Sequence, residues 1–240
     1  MENVLFIDKT NSTNALLRQM LREQNLPEGF VLHTDFQETG KGQGTNKWES
    51  EAGKNLLFSM LLYPHQIAID EQFIMSQLVS IAIKTVLDKY TENITIKWPN
   101  DIYWQDKKLA GILIESTLQA TQLKNMVIGV GLNVNQQCFE SDAPNPISLF
   151  QIIGIEQDRN ELLNSICNKI IELYQQLDAE QIQKVYATML YRKAGLHSFE
   201  SEGQIFLAGI YNVYSDGRLE LKTETGVLRR FYFKEVQFVI

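Results

Sequence analysis

The chain has 240 residues, of which 44% are hydrophobic and 21% are charged, the composition of a globular protein with one sizeable core. Twenty-two Lys and Arg against 29 Asp and Glu give a net charge of −7, which argues against a dedicated DNA-binding protein, because phosphate neutralisation needs a basic face. Cys138 and Cys167 form no metal-binding pattern. No apolar run is long enough for a membrane helix and no signal peptide is recognisable, so the expected location is the cytoplasm.

The N-terminal half predicts an alternation of strands and helices. A strand over 4–7 precedes a helix with apolar residues at helical spacing, for which Ser12 or Thr13 is a candidate N-cap. Extended structure resumes at 30–32, and a second strand covers 56–63. Between them, the stretch 37–54 is polar and contains four of the glycines. A loop of this length inside a compact domain is usually functional or disordered.

The second half of the pattern begins with a helix over 70–90, whose wide apolar face predicts that it covers a sheet. A short strand over 94–96 and a hairpin around Gln105-Asp106-Lys107 follow. A further strand over 126–135 contains Gly129 and Gly131, and two helices are expected at about 159–177 and 179–192. Interior glycines weaken a strand, and they often mark the close approach of a ligand.

From Gly195 onwards the sequence changes to short strands separated by Gly-containing turns, expected at 205–214, 218–222, 228–233 and 236–240. These form a small β module that would be marginal on its own and therefore docks on the rest. We accordingly predict a domain of residues 1–193 and a small C-terminal β domain of residues 194–240.

The polar loop contains a basic, glycine-punctuated segment, Gly40-Lys41-Gly42-Gln43-Gly44-Thr45-Asn46-Lys47-Trp48. Glycines let the backbone approach a ligand closely and can direct successive N–H groups at an anion, while the lysines add charge. The segment is neither a phosphate loop nor a dinucleotide-binding turn. Taken alone, it is more often an ordinary surface loop.

The pentapeptide Lys97-Trp98-Pro99-Asn100-Asp101 leads directly out of the apolar strand 94–96. Turn chemistry explains Pro99, Asn100 and Asp101. It does not explain Lys97, because a buried lysine needs a paired anion. Further on, Lys108 precedes a strand that Ala110 and Gly111 keep thin on one side, which predicts room for a flat group.

Other catalytic patterns are missing from the sequence. The three histidines show no triad spacing, and neither a Gly-x-Ser-x-Gly elbow nor a His-Glu-x-x-His motif occurs. Hydrolysis by an activated serine or a protein-bound zinc therefore has no support, and the cysteines are interpreted as packing residues.

The order of these segments closely resembles the biotin protein ligase family. The similarity starts at Ser12-Thr13-Asn14, continues through Gln37 and the loop 40–48 to 97–101 and 108–113, and includes Gly129-Val130-Gly131-Leu132-Asn133. It implies an α+β fold with a mixed or antiparallel sheet, covered by helices on one face, as in the catalytic core of class II aminoacyl-tRNA synthetases. It also implies a C-terminal SH3-like β-barrel.

The resemblance implies a function as well. Biotin and ATP, the latter as its Mg²⁺ complex, would form biotinyl-5′-AMP and pyrophosphate. A lysine of a biotin carboxyl carrier protein would then take the biotin and release AMP. No tightly bound metal or prosthetic group is expected. Both steps depend on positioning and charge stabilisation rather than on an enzyme nucleophile.

Site residues follow from the same resemblance. The catalytic residues would be Lys97, Asp101 and Lys108, with Asp101 orienting either Mg²⁺–ATP or the incoming amine. Biotin would contact Ser12, Thr13, Asn14, Gln37, Lys41, Gly42, Gln43, Lys108 and Gly111. ATP or the adenylate would contact Gly40, Lys41, Gln43, Lys47, Trp48, Lys97, Asn100 and Asn133.

Two departures from the family pattern qualify the resemblance. Lys41 and Gln43 stand where the family commonly has arginine at the first position and arginine or glutamine at the second, which predicts a looser grip on the adenylate. The ligase segment also begins near Met1, so neither the N-terminal DNA-binding domain of some members nor DNA binding is expected.

Two alternative functions and the oligomeric state remain open at this stage. Lipoate or octanoate ligation on the same fold is one, and a non-catalytic biotin or nucleotide sensor is another. The oligomeric state is also open, because an exposed sheet edge could pair with a second copy or with the acceptor protein.

Overall fold

The computed structural model describes residues 3–44, 46–141 and 145–240. The strands of the larger sheet are β1 (Val4–Thr10), β2 (Val31–Gln37), β3 (Leu56–Leu62), β4 (Ile94–Lys97), β5 (Asp101–Trp104), β6 (Lys107–Gln119) and β7 (Gln122–Leu132). Their order is β1-β2-β3-β7-β6-β5-β4. β1 and β2 run parallel, and the other neighbours are antiparallel. The mixed sheet of the α+β fold class is therefore confirmed.

The helices of the chain are α1 (Thr13–Glu23), α2 (Phe73–Leu87), α3 (Leu149–Ile153), α4 (Arg159–Gln175) and α5 (Ala179–Thr188). Three of these helices, α2, α4 and α5, pack in the main core on one face of this sheet. Helix α2 packs against α4, α5 and the strands, and its apolar residues are buried nearly all round. This explains why its sequence lacks a polar face, since a helix surrounded by protein has no solvent side.

Helix α1 lies on the opposite face. Successive residues of a strand point to opposite faces. Met60 and Ile128 belong to the core around α2, whereas their neighbours Leu61 and Val127 pack with Leu17 of α1. The expectation of helices on one face was therefore wrong. The small second cluster leaves the rest of the α1 face uncovered, and the cavity described below lies there.

The C-terminal strands form a second, antiparallel sheet. They are β8 (His197–Ser201), β9 (Gln204–Val213), β10 (Leu219–Thr223), β11 (Leu228–Phe231) and β12 (Gln237–Phe238). The order is β11-β10-β9-β8-β12, which is consistent with the expected SH3-like domain. Gly203, Gly217 and Gly226 sit in its turns with φ values of 74°, 88° and 86°, a left-handed conformation that favours glycine.

Several boundaries differ from the sequence-based expectation. Helix α2 starts three residues late because a 3₁₀ turn, Ile69–Glu71, precedes it. Helix α5 ends at Thr188 rather than near 192, since the following backbone hydrogen-bonds on both sides of Ile96. Helix α3 and strand β8 were not predicted. None of the described helices is long and apolar enough to cross a bilayer.

Candidate active site

A cavity of about 1050 Å³ opens where α1, the loop 40–48, the pentapeptide and the C-terminal sheet meet. It brings together nearly all the residues that the sequence predicted for the site. Those lining it are Ser12, Thr13, Asn14, Gln37, Lys41, Gly42, Gln43, Lys47, Trp48, Lys97, Asn100, Asp101, Lys108, Gly111 and Asn133. Gly40 is not part of the lining.

The floor of this cavity is a row of small residues across three strands. The register places Gly129 of β7 between Ser59 of β3 and Leu113 of β6, and it places Gly131 opposite Gly111. A methyl group on Gly129 would overlap Asn14 Oδ1, and one on Gly131 would lie 2.5 Å from Trp48 Cε2. The glycines are therefore required by the close approach of two other site residues.

Trp48 occupies the space that the thin strand provides. The indole lies over Gly131 and Gly111, since a Cβ added at Gly111 would lie 3.0 Å from Trp48 Cζ3. The flat group that the sequence predicted at this place is thus the protein's own tryptophan. Its Nε1 is buried and has no hydrogen-bond partner among the described residues.

The glycine loop is held in a narrow turn behind Trp48. Its backbone hydrogen bonds join Gly42 N to Asn46 O at 2.8 Å and Trp48 N to Gly40 O at 2.9 Å. Gly40 is buried under this turn, and a Cβ there would lie 2.8 Å from Trp48 O. Gly40 therefore shapes the loop instead of lining the cavity.

The N-terminus of α1 is fixed by a side chain from β2. Gln37 Oε1 accepts from Thr13 N at 2.7 Å and from Thr13 Oγ1 at 3.1 Å. The first backbone N–H groups of a helix have no partner within the helix, and Gln37 satisfies one of them. Ser12 is the N-cap residue by backbone geometry, but its side chain makes no capping bond. Ser12 is thus the N-cap residue, as predicted, but the capping hydrogen bond comes from Gln37 instead of the Ser12 side chain.

Ser59 connects Thr13 to Asn14 and was not predicted as a site residue. Its Oγ lies 2.7 Å from Thr13 Oγ1 and 2.6 Å from Asn14 Oδ1. On its other side, Asn14 Nδ2 donates to Leu113 O at 3.1 Å and to Glu115 Oε2 at 2.9 Å. The Asn14 amide is thereby fixed in one orientation. The signal in the sequence was a lone serine within the otherwise apolar Leu56–Leu62.

Lys97 is enclosed by aromatic side chains. Its Nζ donates to Tyr103 Oη at 3.1 Å and lies 4.8 Å from the Tyr103 ring centroid and 5.4 Å from that of Phe238. No carboxylate in the described part of the chain is within ion-pair distance of it. Burial lowers the pKa of Lys97, Asp101 partly offsets this, and Lys108 and Arg192 lower it further. An anion entering here would stabilise the charged lysine.

Lys108 and Asp101 form an ion pair beside it. Lys108 Nζ lies 2.7 Å from Asp101 Oδ1 and 5.8 Å from the centroid of the Trp48 ring. The backbone of Lys108 is held by Asn145 O and by Ile147 N, at 2.8 and 3.0 Å. Both members of the pair are partly exposed to the cavity, so they are accessible to a ligand.

Two asparagines of the predicted nucleotide set differ in their local bonding. Asn100 Nδ2 donates to Ile112 O at 2.5 Å, which fastens the pentapeptide to β6. Asn133 Nδ2 donates to Ile147 O at 3.1 Å. The Oδ1 of Asn133, like the Oε1 of Gln43, is buried without a partner in the described residues. Asn133 and Gln43 thus keep an acceptor available.

The C-terminal sheet contributes one wall, which sequence reasoning did not anticipate. Trp98 Nε1 donates to Gly217 O at 2.9 Å, and its ring packs edge-on against Phe233 with the centroids 6.1 Å apart. This contact brings Phe233, Lys234 and Phe238 to the cavity. The tryptophan of the pentapeptide was the available signal, since turn chemistry leaves it unexplained.

Comparison with known proteins gives the family. Residues 6–133 match the Biotin/lipoate A/B protein ligase family. The bifunctional ligase/repressor BirA of Salmonella typhimurium is 35% identical over 183 residues, covering 72% of this chain and 55% of that protein. BirA of Bacillus subtilis is 30% identical over 171 residues, covering 69% and 51%. The chain spans about half the length of these curated relatives.

A solved structure extends the likeness to the whole chain. The biotin protein ligase from Aquifex aeolicus, in complex with biotin and ATP, covers 100% of both chains with a TM-score of 0.80 at 24% identity. This likeness confirms the fold. The match over 6–133, which is more than half of the sequence, and the identity to BirA show the family: the chain belongs to the biotin/lipoate A/B protein ligase family.

Proposed function

We propose that this protein is a biotin–[biotin carboxyl carrier protein] ligase that forms biotinyl-5′-AMP from biotin and ATP. The observation that carries the proposal is the meeting of Lys97 and Lys108 in one cavity with the fixed polar groups of Thr13 and Asn14. Lys97 has no carboxylate partner among the described residues, as expected if a ligand supplies the anion. Membership of the family supports the same reaction.

In the first step, a carboxylate oxygen of biotin forms a bond to the α-phosphorus of ATP. The bond to the bridging oxygen breaks, and pyrophosphate leaves with the electron pair. Negative charge accumulates around the α-phosphate, and Lys97 and Lys108 are proposed to stabilise it. Lys41, Lys47 and Gln43 would close the loop over the reacting groups.

In the second step, the ε-amine of the acceptor lysine attacks the acyl carbon of biotinyl-AMP. An amide forms, the bond from that carbon to the phosphate oxygen breaks, AMP leaves, and the amine loses one proton. The Asp101 carboxylate is held by Lys108 at 2.7 Å. We propose that Asp101 chiefly keeps Lys108 in place, and orienting the acceptor amine remains a further prediction.

Mg²⁺ is proposed to arrive with ATP as part of the substrate. The described residues contain no group of three or more His, Cys, Asp or Glu side chains that could hold a metal ion. Asp101, the carboxylate nearest to the two lysines, is already paired. The described residues in the cavity therefore do not fit a resident metal site.

The polar end of the cavity favours biotin over the acids of the rival ligases. The ureido group of biotin carries two N–H donors and a carbonyl acceptor, which suit the hydroxyl and amide groups of Ser12, Thr13, Asn14 and Gln37. The dithiolane of lipoate and the alkyl chain of octanoate have no such groups. They would displace solvent from these polar side chains without replacing the hydrogen bonds that it makes, which costs binding free energy.

We also propose the division into a domain of residues 1–193 and a β domain of residues 194–240. The second sheet starts at His197, which supports a boundary close to this point. Because Phe233, Lys234 and Phe238 line the cavity, the small domain would complete the site as well as fold beside it. A homodimer is a further prediction, to be checked by the mass in solution.

The decisive experiment is pyrophosphate release by the purified protein with ATP and Mg²⁺. Release should require biotin, and lipoate or octanoate should neither replace biotin nor compete with it. Transfer is then followed by the mass of an added carboxyl carrier domain, which should gain one biotinyl group. If biotin binds but no pyrophosphate appears, the protein is a sensor rather than a ligase.

A further inference from the structure

The carboxylate of Glu49, at the end of the glycine loop, binds the segment 136–141. Glu49 follows Trp48 directly, and both of its oxygens accept hydrogen bonds from the segment 136–141. Oε1 accepts from Glu140 N at 2.7 Å and from Gln136 Nε2 at 3.5 Å. Oε2 accepts from Ser141 N at 3.1 Å and from the Ser141 hydroxyl.

The two segments that Glu49 joins line different parts of the cavity. The loop 40–48 contributes Lys41, Gly42, Gln43 and Trp48, and the other segment contributes Phe139 and Ser141. The first lies over Gly131 and Gly111, in the middle of the floor. The second follows the end of β7, near Asn133. Gly129, next to Asn14, and Asn133 are four residues apart, so about 13 Å separates the two ends of the site.

Gln136 fixes only the beginning of the second segment. Its Oε1 accepts from Asn55 Nδ2 at 2.5 Å and from Glu51 N at 3.0 Å, and its Nε2 donates to Cys138 O at 2.7 Å. Beyond Cys138, the Glu49 carboxylate supplies three hydrogen bonds to residues 140 and 141. A side chain that directly follows the glycine loop therefore helps to hold this part of the wall.

The bonds at Glu49 are those of an ionised carboxylate. Burial alone would raise the pKa of Glu49, but the backbone amide of Glu140 and the hydroxyl and amide of Ser141 outweigh it and lower the pKa. Hydrogen bonds to a charged acceptor are roughly twice as strong as those between neutral groups. A neutral side chain of the same shape would therefore hold the second segment less firmly.

We propose that Glu49 is a positioning residue that couples the biotin half of the cavity to the nucleotide half. The proposal rests on the ligase function proposed above. A ligand that orders the loop 40–48 also fixes Glu49, and Glu49 then fixes residues 140 and 141. The second ligand consequently loses less conformational entropy on binding. Because coupling between two sites is reciprocal, biotin and the nucleotide should each strengthen the binding of the other.

The test measures this coupling by calorimetry. The nucleotide probe is the α,β-methylene analogue of ATP, which cannot transfer its adenylyl group to biotin. Its Kd is determined with and without saturating biotin. The coupling ratio is the Kd without biotin divided by the Kd with biotin. It should fall about tenfold in Glu49→Gln, the expected loss from removing a charge-assisted contact. Escape of biotinyl-AMP, formed in a single turnover, should accelerate by a similar factor.

Glu51→Gln is the matched control. It removes the same charge two residues away, from an exposed carboxylate that makes no hydrogen bond or ion pair with the described residues. Its coupling ratio should equal that of the unmodified protein. Ser141→Ala supplies a double-mutant cycle, in which the effects of Ser141→Ala and Glu49→Gln should be strongly non-additive. This milder variant also tests the contact if Glu49→Gln does not fold.

The outcomes separate the two proposals. If the unmodified protein releases no pyrophosphate with biotin and ATP, the ligase function fails. If it is active but Glu49→Gln keeps the coupling ratio and adenylate retention of Glu51→Gln, only the role of Glu49 is overturned. A coupling ratio of one in the unmodified protein would overturn it too.

Discussion

The two ends of the cavity differ in how completely their polar groups are satisfied. At the end next to α1, Thr13, Asn14, Gln37 and Ser59 bond to one another. In the middle of the cavity and at its other end, several buried polar atoms have no partner among the described residues, namely Gln43 Oε1, Trp48 Nε1, Asn133 Oδ1 and Asn145 Oδ1. Buried polar groups normally find a partner. The first end is therefore organised by the protein itself, and the second is arranged to be completed by a ligand.

The largest effect should come from removing a cation at the incomplete end. Lys97→Ala and Lys108→Ala should each reduce biotin-dependent pyrophosphate release by about 10²–10³-fold, as expected for lost charge stabilisation in a transition state. Lys107→Ala is the control, because Lys107 precedes Lys108 but is exposed and lies outside the cavity lining. Full activity of both cavity variants would refute the assigned roles.

A methyl group on the floor should have the next largest effect. In Gly131→Ala the new Cβ would lie 2.5 Å from Trp48 Cε2 and 2.7 Å from Trp48 Nε1. The indole must therefore move, and the loop 40–48 must move with it. We expect kcat/KM to fall by about 10- to 100-fold, with a loss of roughly 1–3 kcal/mol in the free energy of unfolding. Steady-state kinetics and urea unfolding measure the two effects.

Gly209→Ala provides the comparison for this substitution. Gly209 lies in β9 of the other sheet, where a Cβ would come 2.9 Å from Gly195 O. A similar loss of stability is expected there, without the kinetic effect. If both variants lose activity in proportion to stability, Trp48 has no special role in the site.

The glycines show how far the sequence alone could lead. Ala110 and Gly111 predicted room for a flat group, and Gly129 and Gly131 predicted the close approach of a ligand. The group that lies against Gly111 and Gly131 is Trp48. The sequence could not identify it, because the contact depends on the path of a loop from a distant part of the chain. Lys97 was easier to place, since a lysine that leaves an apolar strand needs an anion wherever it folds. Lys108 was assigned to the site only through the family resemblance.

Residues whose role depends on tertiary packing were missed. Ser59 reads as part of a buried strand, and its partners lie 45 and 46 positions away. Phe233 and Phe238 reach the cavity only because Trp98 docks the second sheet onto the pentapeptide. Glu49 lies in the polar stretch 37–54, and its partners Glu140 and Ser141 are 91 and 92 positions away. In each case the local sequence defines the element correctly, whereas the contact partner is set by the packing of elements.

Ser59→Ala tests whether the complete end is really preorganised. The variant removes the hydroxyl between Thr13 and Asn14, so both side chains lose a fixed partner. We expect KM for biotin to rise about tenfold and the free energy of unfolding to fall by roughly 1–2 kcal/mol, while KM for ATP stays unchanged. Ser80→Ala, which removes an equally buried hydroxyl bonded to Ser76 O in α2, should lower stability alone.

Introducing arginines into the glycine loop should have a smaller effect. Lys41→Arg with Gln43→Arg adds a planar fork that can hold a phosphate with two parallel hydrogen bonds. The Oε1 atom of Gln43 is buried and has no hydrogen-bond partner among the described residues. Biotinyl-AMP should escape about three- to tenfold more slowly from the double variant. Faster escape would mean that Lys41 and Gln43 already hold the adenylate better.

The smallest effect at neutral pH concerns the charge of Lys97. Burial lowers the pKa of Lys97 below its usual value of 10.5, although Asp101 partly opposes this. An anionic nucleotide stabilises the ammonium and so raises this pKa on binding. The favourable interaction is therefore complete below the pKa of the free protein, and it is lost as pH rises through it. We expect kcat/KM for ATP to decline at a lower pH than an ordinary lysine would cause.

Lys97→Arg separates this titration from others in the site, because arginine stays charged throughout the range. Each profile is normalised to its own plateau, so a lower absolute activity of the variant does not matter. The alkaline decline should move to higher pH in Lys97→Arg and should stay in place in Lys107→Arg. If the unmodified protein and Lys97→Arg decline together, another group controls the decline, and the charge of Lys97 is not what the nucleotide end of the cavity depends on.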